Sequence, residues 1–76
     1  MTLGERLSLV RRVECRDHLI RFGQSPEQAE RWCEAWEREA ELRGWQRSAD
    51  FWEHGRLWID AQIAARRSPS ALAVRR

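Results

Sequence analysis

The chain has 76 residues, a formal net charge of +2 and two cysteines. A chain of this length forms one domain and buries only roughly 60% of the surface that its unfolded form exposes. It contains no run of about 20 apolar residues that would span a membrane, and no basic start followed by an apolar stretch marks a secretory signal. We therefore expect a cytoplasmic protein that does not bind membranes and whose cysteines are reduced.

Five Trp and two Phe give this short chain a large apolar content, since each aromatic side chain can bury roughly 150–250 Å². All fourteen basic residues are Arg, which suggests the GC-rich genome of a bacterium or phage. The charges are unevenly spread along the sequence. Residues 24–44 carry three Arg against six Glu, whereas residues 66–76 carry four Arg and no acid. This uneven distribution of charge says more about possible binding surfaces than the small net charge does.

The first predicted helix covers residues about 3–22. Thr2 is a suitable N-cap with Glu5 as its capping-box partner, and Gly23 provides the stop. At 100° per residue, most of its aliphatic side chains share one broad face, and a smaller apolar group lies on a different face. The C-terminal half of this helix is therefore either covered on two sides or meets a second partner. The broad face comprises Leu3, Leu7, Leu9, Val10, Val13 and Ile20, and the smaller group comprises Cys15, Leu19 and Phe22.

The second predicted helix, residues 26–43, has the strongest signals. Ser25 is an N-cap, Pro26 takes the first helical position and Gln28 completes a capping box, while Gly44 follows the last turn. Three Glu-to-Arg pairs at i,i+4 support it, each contributing roughly 0.2–0.5 kcal/mol. These pairs are Glu27–Arg31, Glu34–Arg38 and Glu39–Arg43, and the apolar stripe comprises Ala29, Trp32, Cys33, Trp36 and Ala40.

The third predicted helix covers residues about 47–66, with Ser48 as a candidate N-cap, and ends before Pro69 because a residue preceding Pro avoids the α region. Residues 1–67 then form one domain, and residues 68–76 form a short flexible Arg-rich tail. Short connections favour antiparallel neighbours. The sequence therefore predicts an all-α fold, a small three-helix up-down-up bundle.

Two aromatic ridges on helix 3 flank a centre line of small and polar residues. Gly inside a helix costs roughly 1 kcal/mol relative to Ala, so Gly55 at the middle of this face indicates close approach of another element. Either helices 1 and 2 of the same chain fill the face, or its Phe51/Trp58 edge meets another protein. The second interpretation predicts the partner-binding residues Phe51, Gly55, Trp58 and Gln62. One ridge consists of Phe51 and Trp58, and the other consists of Trp45, Trp52, Ile59 and Ile63. The centre line consists of Ser48, Gly55 and Gln62.

Helix 2 also carries a stripe of acidic side chains on the side away from its apolar stripe. It is either a solvated face or a docking strip for the arginines of another copy or of a basic partner. The candidate docking residues are Glu30, Glu34, Glu37 and Glu41.

The His and Cys side chains are the only candidate metal ligands of the usual zinc type: Cys15, His18, Cys33 and His54. Their separated positions lack the short paired spacings of structural zinc sites, and a small buried thiol is the ordinary explanation for a Cys within an apolar stripe. We expect no metal and no cofactor; a Cys15–Cys33 disulfide is the alternative for the two thiols.

No catalytic constellation or phosphate-binding loop is apparent in the sequence, so we expect neither an enzyme nor a small-molecule substrate. The predicted function is that of a non-enzymatic protein–protein interaction module, a self-associating regulatory or adaptor protein that binds a second copy or another protein. The alternative is a small nucleic-acid-binding regulator, although acids interrupt its basic surface. Its candidate contacts are Arg12, Arg16, Arg66, Arg67, Arg75 and Arg76.

Overall fold

The computed structural model describes residues 2–67, which form three α-helices. They are α1 (Leu3–Arg21), α2 (Pro26–Leu42) and α3 (Phe51–Arg67). Each helix packs against both others, and these 66 residues include no strand. The all-α, three-helix prediction is therefore confirmed. The predicted tail, with Arg75 and Arg76, lies outside the described residues.

The ends of α1 and α2 follow the local sequence signals. The Ser25 hydroxyl accepts a hydrogen bond from the Gln28 amide, and the Gln28 side chain accepts one from the Ser25 amide, which completes the predicted capping box. Both helices end in a glycine at positive φ, 110° at Gly23 and 71° at Gly44. The amide that follows each glycine bonds back to the last turn, as in a Schellman motif.

The start of α3 differs from the prediction, because the helix begins at Phe51 and not near residue 47. The Ser48 hydroxyl donates to the Asp50 carboxylate, so it does not act as the N-cap of a helix starting earlier. Trp45 is the residue after the glycine of the Schellman motif, and its amide bonds to the Ala40 carbonyl. This bond ties residue 45 to the end of α2, so Trp45 does not belong to a ridge of α3.

The core gathers at the end of α1 and along the facing sides of α2 and α3. α1 contributes only two buried residues, both in its C-terminal half, whereas α2 provides the largest fully buried side chain, Trp36. The buried hydrophobic residues are Cys15, Leu19, Ala29, Cys33, Trp36, Ala40, Phe51, Trp52 and Ile59. No helix within residues 2–67 combines the length and the apolar character needed to cross a bilayer.

Candidate interaction surface

One ring from within the chain, Trp36 of α2, covers the aromatic face of α3. The Trp36 ring centroid lies 5.2 Å from that of Phe51 and 5.8 Å from that of Trp58. Between these contacts the indole presses on Gly55, where a Cβ atom would lie 2.5 Å from Trp36 Cδ1. A single side chain therefore fills the space between the two ridges of helix 3.

This packing corrects the predicted partner-binding set. Phe51 is 5% exposed and Gly55 is buried, so neither can contact a partner while the bundle is folded. Trp58 is half-buried and meets the edge of Trp32 at 6.5 Å. Gln62 is exposed, and its role in binding stays a prediction. One indole covers this much aromatic surface because the residue that faces it is a glycine.

Trp45 is more exposed than predicted. The predicted ridge placed it inside the bundle, but it lies in the α2–α3 connection and is 47% exposed. Its ring packs at 5.4 Å against Trp36, and the Arg43 guanidinium lies 5.2 Å from its centroid. Trp45 thus closes one end of the core instead of lining its centre.

The apolar surface that no other part of the described chain covers lies on α1. Five aliphatic side chains there keep 49–74% of their surface exposed: Leu3, Leu7, Leu9, Val10 and Val13. We call these five residues the outward face of α1. The bundle packs mainly on the smaller apolar group predicted for this helix, of which Cys15 and Leu19 are buried; Ile20, the sixth residue of the broad face, is half-buried and also packs against the core. Phe22, the third member of that group, is exposed and stacks on His18 with centroids 4.7 Å apart.

The sequence showed both apolar groups of α1 but did not indicate which one faces the core. Arg12 shares the side of Cys15 and Leu19 and binds carboxylates on α2. Its Nη2 lies 2.7 Å from Glu30 Oε1, and its Nε lies 3.3 Å from Glu37 Oε1. These contacts agree with an orientation of α1 in which most of its broader aliphatic face is exposed.

Only part of the predicted acidic docking strip of α2 is therefore free to bind a partner. Glu30 and Glu37 bind Arg12 across the α1–α2 interface, and Glu37 Oε2 also lies 3.0 Å from Arg47 Nη2. Glu34 and Glu41 are exposed. Of the three predicted i,i+4 pairs, Glu39–Arg43 is confirmed, at 2.5 Å; the other two form no ion pair among residues 2–67.

The same contacts remove part of the predicted nucleic-acid surface. The hydrogen bond to Glu30 is the main cause that raises the pKa of Arg12, and that bond also lowers the pKa of Glu30 below its ordinary value of 4.5. An arginine whose N–H groups already donate to two carboxylates is poorly placed to bind a phosphate as well. Arg16 is half-buried, so α1 offers no pair of free arginines at these positions.

The four predicted metal ligands do not converge on one site. Cys15 and Cys33 are free thiols in the same buried cluster. His18 stacks on Phe22, and His54 lies 3.4 Å from Asp50 at the start of α3. The described part of the chain contains no group of three or more His, Cys, Asp or Glu side chains that could hold a metal ion.

Comparison with known proteins adds no assignment, because no family model, curated protein or solved structure matches this chain.

Proposed function

We propose that this chain is a non-enzymatic interaction module that self-associates through the outward face of α1. The observation that supports it most directly is the exposure of five aliphatic side chains on one helix. An apolar stripe on a helix normally faces a packed surface, yet only Cys15 and Leu19 of α1 are buried in the bundle. Burial of the remaining face on another surface would complete this pattern.

The area of the outward face indicates which class of interface it can form. Five aliphatic side chains that are half-exposed or more offer on the order of 500 Å², against roughly 800 Å² per partner in interfaces of standard size. A patch of that order matches the largest apolar patch of a typical monomer, which is often a functional surface. We therefore expect a weak, reversible dimer with a dissociation constant in the micromolar range or above.

The charges beside the face favour a second copy over a strongly charged partner. Exposed Arg6 and Arg21 lie on the same side of the helix as exposed Glu14 and Asp17, which gives two charges of each sign. A surface of mixed sign can match a copy of itself, whereas a uniformly acidic or basic partner would meet like charges.

Light scattering after size-exclusion chromatography, over a dilution series from about 1 µM to 500 µM, tests the proposal. Val10 lies at the centre of the outward face and is 55% exposed; Leu57 on α3 is 62% exposed and lies outside it. Val10→Asp and Leu57→Asp therefore make a matched pair in which neither change unfolds the core.

We expect the native chain and Leu57→Asp to shift from monomer to dimer with concentration, and Val10→Asp to remain monomeric. A native chain that is monomeric throughout the series contradicts the proposal. Equal behaviour of the two variants would place the contact elsewhere.

A further inference from the structure

A second surface, independent of α1, lies where α2 begins and α3 ends. It is a groove of about 520 Å³, and its walls include Gln28, Arg31, Trp32, Ile63, Arg66 and Arg67. We call it the Trp32 groove. Its volume falls within the range of ordinary ligand sites, roughly 300–1,000 Å³.

The walls of the Trp32 groove carry three guanidinium groups and no carboxylate. Four arginines elsewhere, namely Arg11, Arg12, Arg43 and Arg47, each lie within 4.0 Å of an acidic side chain. Within residues 2–67, no such ion pair involves Arg31, Arg66 or Arg67. The predicted Glu27–Arg31 pair is not formed, so no carboxylate within residues 2–67 competes for the Arg31 guanidinium at ion-pair distance.

The indole of Trp32 lies between these arginines in the wall of the groove. The ring of half-buried Trp32 packs against the core, and the Arg66 guanidinium lies 4.9 Å from its centroid. This cation–π contact holds a flat cation over a flat aromatic surface. Gln28 adds an amide that can both donate and accept hydrogen bonds at the edge of a ligand.

We propose that the Trp32 groove binds single-stranded nucleic acid. Arg31, Arg66 and Arg67 take the phosphates, and an unpaired base replaces Arg66 on the Trp32 ring as that guanidinium moves to a phosphate. Aromatic rings beside arginines are the usual means of binding single strands, since every base offers a face for stacking. A duplex keeps its bases stacked inside and cannot use the indole in this way.

This binding mode keeps Arg66 and Arg67 from the nucleic-acid contacts predicted by the sequence and uses Arg31 in place of the α1 arginines. It does not depend on self-association, because all the groove residues that it uses lie on α2 and α3. The Val10→Asp variant can therefore serve as a second protein sample in every binding measurement.

Fluorescence anisotropy of a labelled single-stranded ten-nucleotide DNA or RNA, titrated with the full chain at about 50 mM salt, tests the proposal. Three phosphate contacts on a single strand predict a slope of log K against log salt of about −2. The double variant Arg66→Gln/Arg67→Gln removes two exposed charges from the groove, and Arg11→Gln/Arg56→Gln removes two exposed charges from another surface.

We expect the groove variant to lose at least about tenfold in affinity and the control less than about threefold, with circular dichroism showing that both stay folded. Trp32→Leu should weaken binding of the oligonucleotide but not of inorganic polyphosphate, because only the base uses the ring. Absence of binding at low salt overturns the proposal. So does equal loss in the two double variants, or equally tight binding of a duplex, of polyphosphate or of an acidic phosphopeptide.

Discussion

The indole of Trp36 lies directly against the backbone of Gly55, where a methyl group would overlap the ring. The contact joins the middle of α2 to the second turn of α3, and Trp36 is 1% exposed there. Because the backbone of α3 comes this close, one ring reaches both Phe51 and Trp58. The glycine therefore serves packing within the chain, and it does not mark a contact with another protein.

Gly55→Ala should destabilise the fold by about 2 kcal/mol, even though Ala is the better helix former, because a large buried ring cannot move aside without disturbing the core. Urea unfolding followed by circular dichroism measures the change. Gly4→Ala is the matched control: it also lies in a helix, and its Cβ would have only the Thr2 hydroxyl near it, at 3.9 Å. That variant should gain up to about 1 kcal/mol. A neutral Gly55→Ala would contradict the close packing.

Trp36 and Trp45 contact each other, but truncating them should reduce the stability of the fold by very different amounts. Trp36→Ala leaves a cavity at the centre and should cost about 3–5 kcal/mol, which is most of the stability expected of a domain this small. Trp45→Ala removes a ring that is 47% exposed and should cost about 1 kcal/mol. Thermal unfolding ranks the two variants, and similar losses would mean that Trp45 is more central than its exposure indicates.

Arg12 should make stability depend on pH below about 5. It contacts both carboxylate oxygens of Glu30, at 2.7 and 3.2 Å, and this pairing holds the pKa of Glu30 below its ordinary value of 4.5. Since the pKa is depressed in the folded state, the ion pair contributes fully above pH 4.5 and its contribution is lost as the pH falls through the lower, folded value.

Arg12→Gln should therefore lower the free energy of unfolding by about 1 kcal/mol at pH 7, a modest figure because both side chains are partly solvated. The difference from the native chain should shrink towards pH 3. Arg11→Gln is the control, since its pair with Glu14 is exposed and lies at 3.6 Å. A difference that is the same at both pH values would assign the effect to the packed stem of Arg12 and not to its charge.

These contacts also show which features the sequence could predict. Local signals were sufficient for α1 and α2, because Ser25, Gln28, Gly23 and Gly44 act within a single turn of backbone. The late start of α3 was missed because Ser48 bonds to Asp50 instead of capping an earlier helix, and Trp45 was assigned to α3 although its amide bonds to the end of α2. Which face of α1 meets the bundle could not be predicted, since that depends on the side chains that α2 and α3 place opposite it.

Two thiols lie in the core: Cys15 and Cys33 are 3% and 0% exposed and belong to the same buried cluster. The neighbouring thiol is the main cause that lowers the pKa of Cys15 and raises the pKa of Cys33. A groove of about 310 Å³, bordered by Arg11 and Arg56, also runs past Cys15.

Because the thiolate is the reactive form and Cys15 lies beside this groove, iodoacetamide at pH 8 should modify Cys15 before Cys33. Both thiols should react roughly 100-fold more slowly in the folded chain than in urea, since reaction requires local opening. Peptide mass spectrometry at a series of quench times follows each site separately. In urea the two rates should converge, which provides the internal control. If Cys33 reacts first in the folded chain, the assignment of Cys15 as the more acidic thiol is wrong, and if both react at the urea rate, the packing of α1 on α2 at this point is wrong.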